Sequence, residues 1–128
     1  MVMMTLWRAA NDDSISDCAS FSTTRGAAEA YLSNPGFGGR TLYRAEVEID
    51  AAKVLDLIDC DDAIERLCDV TGKAHPGAID ADEWAPRISY EIRDAGYEWV
   101  RVLESYPSET ETWIFVGSND PEMVEVEA

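Results

Sequence analysis

A chain of 128 residues with 46% hydrophobic content is long enough for one domain, residues 1–128, with a core of its own, and that content argues against disorder. A formal net charge of −16 repels nucleic-acid backbones and anionic membranes, so neither is an expected direct partner. Three cysteines, Cys18, Cys60 and Cys68, form no CxxC spacing and no even set, which points to a reducing, cytoplasmic compartment and to small buried hydrophobes. The single histidine, His75, sits in a Gly/Pro-rich stretch with no ligand partner at metal spacing, so no metal is expected. The apolar start Met1-Val2-Met3-Met4 is too short for a signal-peptide core, and no apolar run approaches the roughly 20 residues that span a bilayer.

In chain order, Thr5 to Ala10 is short and mostly apolar, as a buried strand is. After the turn cluster Asn11-Asp12-Asp13-Ser14, Cys18 to Thr23 reads as a second strand, and Ala27 to Leu32 as a short helix ended by Ser33-Asn34-Pro35-Gly36. Leu42 to Ile49 carries the cleanest strand pattern: Tyr43, Ala45, Val47 and Ile49 alternate with Arg44, Glu46 and Glu48. Val54 to Ile58 is a further apolar run. Asp62-x-x-Glu65 forms a capping box for a helix through Val70 that Gly72 stops, and Asp80-x-x-Glu83 starts another, with Ile88 and Ile92 on one face and Gly96 at its end. Pro86 is expected in the first turn of that helix, because in its interior it costs about 3 kcal/mol. Tyr97 to Glu104, Thr112 to Val116 and Met123 to Glu127 read as strands, the last a Glu-rich edge. Strands at both ends and helices between them give an α+β fold.

The chemistry-bearing residues fall in three segments. Thr5-Leu6-Trp7-Arg8-Ala9 puts an arginine on the first strand, Ser20-Phe21-Ser22-Thr23-Thr24 puts a Ser-Thr pair on the second, and Glu109-Thr110-Glu111 leads into the apolar Thr112-Trp113-Ile114-Phe115-Val116. Acidic pairs at this spacing are common here (Glu46-Val47-Glu48 and Glu125-Val126-Glu127 are others), so position is what singles out Glu109 and Glu111. The Pro35-Gly36-Phe37-Gly38-Gly39 run lacks a Lys-Ser/Thr ending and precedes a strand. It therefore reads as a connecting turn and not as a phosphate loop.

This order resembles the Arg–Ser–Glu pattern of mono-ADP-ribosyltransferases. Leu6-Trp7-Arg8, Phe21-Ser22-Thr23, Ala28-Glu29-Ala30-Tyr31, Tyr43-Arg44-Ala45-Glu46-Val47, Gly96-Tyr97-Glu98-Trp99-Val100 and Glu111-Thr112-Trp113-Ile114-Phe115 follow one another as that family's motifs do, over most of the chain outside residues 59–95. Thr24 stands where the family usually has serine, and Trp99 where it often has glycine. The resemblance implies two small, mainly antiparallel sheets forming an NAD cleft with flanking helices. It implies NAD cleavage, with ADP-ribose transferred to a protein side chain. Arg8 would then bind a phosphate or ribose, Ser22 and Thr23 the nicotinamide ribose, and Tyr31 would stack on the nicotinamide. Arg25, with Arg8, Arg40 and Arg44, would offset the global negative charge. Glu111 would stabilise the ribose cation, Glu109 would orient the acceptor, and Glu104 is the rival for the catalytic carboxylate. The layout also looks like the small phage-encoded branch of the family, in which an anti-CRISPR protein uses ADP-ribosylation to disable a host CRISPR effector. That implies a basic protein target, such as a CRISPR effector complex, in the host cytoplasm. Two alternatives remain open: an acidic, non-enzymatic inhibitor that mimics nucleic acid, and a toxin that hydrolyses NAD.

Overall fold

The computed structural model describes residues 1–10, 19–32, 41–104 and 110–126. Seven strands appear in it: β1 (Val2–Ala10), β2 (Ser20–Ser22), β3 (Thr41–Ile49), β4 (Val54–Asp56), β5 (Trp99–Glu104), β6 (Thr110–Phe115) and β7 (Met123–Val126). The helices are α1 (Arg25–Leu32), α2 (Ala63–Thr71), α3 (Ala81–Arg87) and α4 (Ser89–Asp94). The fold is therefore α+β, with helices between two groups of strands as the sequence pattern requires. The two expected sheets are corrected to one hydrogen-bonded sheet of seven strands, in the order β4-β5-β6-β2-β1-β3-β7. Pairing is antiparallel throughout except between β4 and β5.

That sheet is not flat. β3 and β4 stand five places apart in it, about 24 Å at the usual strand spacing. The chain from Ile49 to Val54 spans at most about 18 Å, with a single 3-10 turn at Ala51–Lys53 capped by the Asp50 side chain. The sheet must bend to bring its ends together, and the cluster inside the bend shows that it does. Leu6 of β1, Phe21 of β2, Ala45, Val47 and Ile49 of β3, Trp99 of β5 and Trp113 and Phe115 of β6 form one buried cluster, with Val54 and Met123 packed against it. Trp99 is at its centre, meeting the rings of Phe21, Trp113 and Phe115 edge-on at centroid distances of 5.6, 6.2 and 5.1 Å. Such T-shaped pairs add favourable electrostatics to the area buried.

Strand alternation sends the intervening residues to the opposite face. Val100 and Val102 of β5 and Ile114 of β6, with Val116 just beyond it, pack against Leu67 of α2, Trp84 and Ala85 of α3, Ile88 and Ile92 of α4, and Leu55 and Leu57. α2 begins and ends as its sequence dictates: the Asp62 carboxylate accepts from the Glu65 N–H at 3.1 Å, and Gly72 closes the helix in the left-handed region at φ 74°. Pro86 departs from expectation. It is the sixth residue of α3, not a first-turn residue, because α3 starts at Ala81. Its missing N–H and bulky ring end the helix at Arg87, and Ile88 turns out of helical geometry before α4 starts. One expected helix thus becomes two, while Ile88 and Ile92 still share the buried side. β7 is an edge strand, as its glutamates suggest. Cys60 and Cys68 are free and half-buried against the helix-side cluster; Cys18 lies outside the described residues.

Replacing the central ring tests this architecture. Trp99→Ala is expected to lower unfolding stability by about 3–5 kcal/mol, the usual loss for a buried large aromatic. A urea denaturation series that gives less than about 1 kcal/mol would show that the bent sheet does not close on this residue.

Candidate functional site

The sheet is narrowest between β1 and β2. β1 runs in register with β3 over nine residue pairs, but its register with β2 is a single pair, Trp7 opposite Ser22. Two sheet halves, β4-β5-β6-β2 and β1-β3-β7, meet at that pair. A cavity of about 240 Å³ opens there, lined by Trp7, Arg8, Ala9, Ser20, Phe21, Ser22, Tyr31 and Thr112. β1, β2, β6 and α1 all contribute to it. Besides Ser20 and Tyr31, it is lined by the two buried hydroxyls of a β2–β6 register pair, Ser22 opposite Thr112, 9% and 4% exposed.

Cations gather at the same place. The Arg8 guanidinium donates from Nη1 to the Ser20 carbonyl at 2.9 Å and lies 5.9 Å from the Phe21 ring centroid. Arg25 opens α1, sits 5.8 Å over the Trp7 ring and pairs with Glu29 one turn later at 2.8 Å. Arg44 stands directly across β1–β3 from Trp7. A chain of net charge −16 therefore places Arg25 over the Trp7 ring, Arg44 opposite Trp7 in the strand register and Arg8 beside Phe21, short-range positive charge of the kind an anionic ligand needs.

Of the residues singled out from sequence, Arg8, Ser22 and Tyr31 meet at this cavity. Thr23 follows β2 and is half-buried without lining the cavity, and Arg25 lies over Trp7, which does line it. Thr24, where a serine was the familiar residue, has a local role: its hydroxyl accepts from the Ala27 N–H at 3.2 Å and caps α1. Glu111 is not among the lining residues. It precedes Thr112 on β6, and its carboxylate is held by Arg101 and accepts from the Trp113 indole N–H at 3.3 Å. Glu104 ends β5 opposite Thr110, with its side chain outside the described residues. Glu109, Arg40 and the turn at 35–39 also lie outside them. His75 is exposed, and its Nδ1 accepts from the Gly77 N–H at 3.1 Å.

Three residues escaped the sequence reading. Thr112 is a polar residue in a strand buried on both faces from 112 to 115, and a hydroxyl inside such an apolar run is the signal that could have found it. In the sequence Trp7 stands out only as the neighbour of Arg8. Arg101 lies between two valines with nothing local to mark it. Its guanidinium binds Glu111, Asp56 at 2.9 Å and Asp59 at 3.2 Å, tying β4, β5 and β6 together. Burial works against the Arg101 charge, but the Glu111 and Asp56 carboxylates outweigh it and hold its pKa above the usual value. For Asp56, burial pushes the pKa up, while the N–H groups of Asp59 and Ile58 and the Arg101 charge pull it down; the net shift is downward. Cys60 nearby is driven the other way, its thiol raised by burial and by the Asp56 carboxylate, so it is a poor nucleophile.

No protein-family model and no curated protein sequence matches the chain. A solved structure described as the crystal structure of an anti-CRISPR protein superposes on it with a TM-score of 0.57. The match covers 95% of this chain and 96% of that one at 16% identity, a likeness of fold over nearly the full length of both. No helix among the described residues is long and apolar enough to cross a membrane.

The depressed pKa of Asp56 sets a pH dependence. A carboxylate with a folded pKa below its unfolded value of about 3.9 stabilises the fold above that pH and loses the contribution as pH falls through the folded value. Asp56→Asn is therefore expected to melt below wild type at pH 7, with the two curves drawing together at acid pH, below the unfolded value of about 3.9. Parallel offsets at both pH values in thermal melts would assign the effect to packing instead.

Proposed function

We propose that this chain is an NAD-dependent mono-ADP-ribosyltransferase that acts as an anti-CRISPR protein on a basic component of the CRISPR machinery in the host cytoplasm. The observation that carries the reading is the convergence of Arg8, Ser22 and Tyr31, from β1, β2 and α1, on one cavity at the narrowest junction of the sheet. They lie in three separated segments of the sequence. The fold shared with an anti-CRISPR protein along nearly the whole chain supports the biological half of the proposal.

The chemistry assigns each group a task. Breaking the bond between the ribose carbon and the nicotinamide nitrogen sends the electron pair to the nitrogen, and neutral nicotinamide leaves. The ribose is left with oxocarbenium character, which a nearby carboxylate stabilises where the charge develops. A side-chain nucleophile on the target then bonds to that carbon and gives up its proton. Arg8, Arg25 and Arg44 serve the pyrophosphate, Ser22 the ribose and Tyr31 the nicotinamide ring. The carboxylate comes from the segment 104–111, which carries Glu104, Glu109 and Glu111 and runs into the cavity wall at Thr112. In the resting geometry Glu111 is committed to Arg101, so its use requires its release from that pair. The rival reading, a charge mimic of nucleic acid, draws on the net charge of −16 and on the exposed Asp59, Asp61 and Asp62 ahead of α2.

Calorimetry and nicotinamide release test the proposal. Wild type is expected to bind NAD, and Arg8→Ala to weaken that binding about tenfold or more, as loss of a charge-assisted contact does. Among Glu104→Gln, Glu109→Gln and Glu111→Gln, one is expected to lose about 10²–10³-fold in turnover while retaining NAD affinity. Release of nicotinamide without labelling of any target protein would favour an NAD hydrolase. No binding at millimolar NAD by the folded protein would favour the mimic.

A further inference from the structure

We infer that Thr112 is a binding residue of the same cavity, and that the Ser22–Thr112 pair reads the vicinal hydroxyls of a ribose. The inference rests on the nucleotide reading above and names the part of the nucleotide that the cavity recognises. Ser22 and Thr112 come from strands about ninety residues apart in sequence, yet they are direct register partners across β2–β6. Direct partners hold their Cβ atoms about 4.5–5.5 Å apart on one face of a sheet. Both are more than nine-tenths buried, and both line the cavity.

Burial makes the pair informative. A hydroxyl withdrawn from water on an apolar strand is costly unless it has hydrogen-bonding work to do. Valine at position 112 would fill the same volume beside Ile114 and Val116, which are both buried. Each hydroxyl has one donor and two acceptor sites, so a contact inside the protein leaves capacity for a ligand. Two adjacent hydroxyls, each able to donate or accept, match the chemistry of a vicinal diol. Tyr31 and Arg8 also line the cavity, an aromatic ring and a cation for an anion. The cavity, at about 240 Å³, falls below the range of roughly 300–1,000 Å³ that encloses whole drug-sized ligands. It therefore suits one nucleoside half of a dinucleotide, with the remainder lying towards Arg25 and Arg44.

Thr112→Val preserves shape and removes the hydroxyl; Thr112→Ser preserves the hydroxyl and removes a methyl group. Affinity for NAD, measured by calorimetry, is expected to fall about five- to tenfold in Thr112→Val and to stay within about twofold of wild type in Thr112→Ser, as for loss of one neutral hydrogen bond. Wild type is also expected to bind NAD deoxygenated at the 2′ or 3′ position of the nicotinamide ribose about five- to tenfold more weakly than NAD, with the Thr112→Val variant losing that discrimination for one of the two analogues. The wild-type arm needs no substitution, so it stands even where a variant folds poorly. If wild type binds NAD and the deoxy analogues equally, or if Thr112→Val binds NAD as wild type does, the diol assignment is overturned while the nucleotide site stands. If folded wild type binds no NAD at all, the site reading itself fails, and this inference falls with it.

Discussion

The edge-on packing of Phe21, Trp113 and Phe115 around the Trp99 ring is the contact on which this structure closes. A bent sheet buries those four aromatics in a cluster that holds no helical residue among the described ones, and the five-step link from Ile49 to Val54 requires the same bend. The bend in turn explains why β1 and β2 pair so briefly. Strands that continued in full register across the junction would keep the two halves coplanar; one residue pair lets them turn against each other. The cavity is the space that turn leaves open. Its position follows from core packing, and its polar lining is set by which side chains fall beside the single pair.

Much of this was legible in the sequence because the signals were local. The alternation from Leu42 to Ile49 gives β3, the Asp62 and Glu65 spacing with Gly72 gives α2, and the acidic ending gives an edge strand. Helix α3 was misread for a physical reason. Proline is favourable in a first turn, which is where the sequence leads one to expect Pro86 in a helix started by Asp80, whereas buried Trp84 and Ala85 hold the preceding turn in helical form and the proline ends it. The single sheet was not legible either, since local pattern does not say whether two sets of strands share hydrogen bonds. At the site, Arg8, Ser22 and Tyr31 could be chosen by motif order. Thr112 and Arg101 could not, because their significance lies in partners on other strands: Ser22 across the register for one, and Glu111 and Asp56 for the other.

Charge is distributed with the same logic. Acidic side chains cover the exposed parity of β3 and the entry to α2, where water screens them. Arg101 is the exception that holds β4, β5 and β6 together, a cation partly withdrawn from water among three carboxylates. Arg25 over the Trp7 ring and Arg8 beside Phe21 are local cations, and at a few ångströms a near charge weighs more than distant carboxylates. Net charge thus describes the surface as a whole and not the cations at this one place.

The register of Ser22 with Thr112 also bears on how the chain reaches this state. That pairing closes a loop of about ninety residues, whereas β1 and β3 meet across some thirty. Loop-closure entropy grows with loop length, and contacts between distant segments form slowly. Loop length orders the β1–β3 hairpin first and the β2–β6 seam, on which the two hydroxyls sit, later. A small molecule held between those hydroxyls joins an early and a late part of the chain. It acts as a reversible cross-link across the longest closure in the sheet, and by mass action it favours the folded form over any state in which that seam has opened.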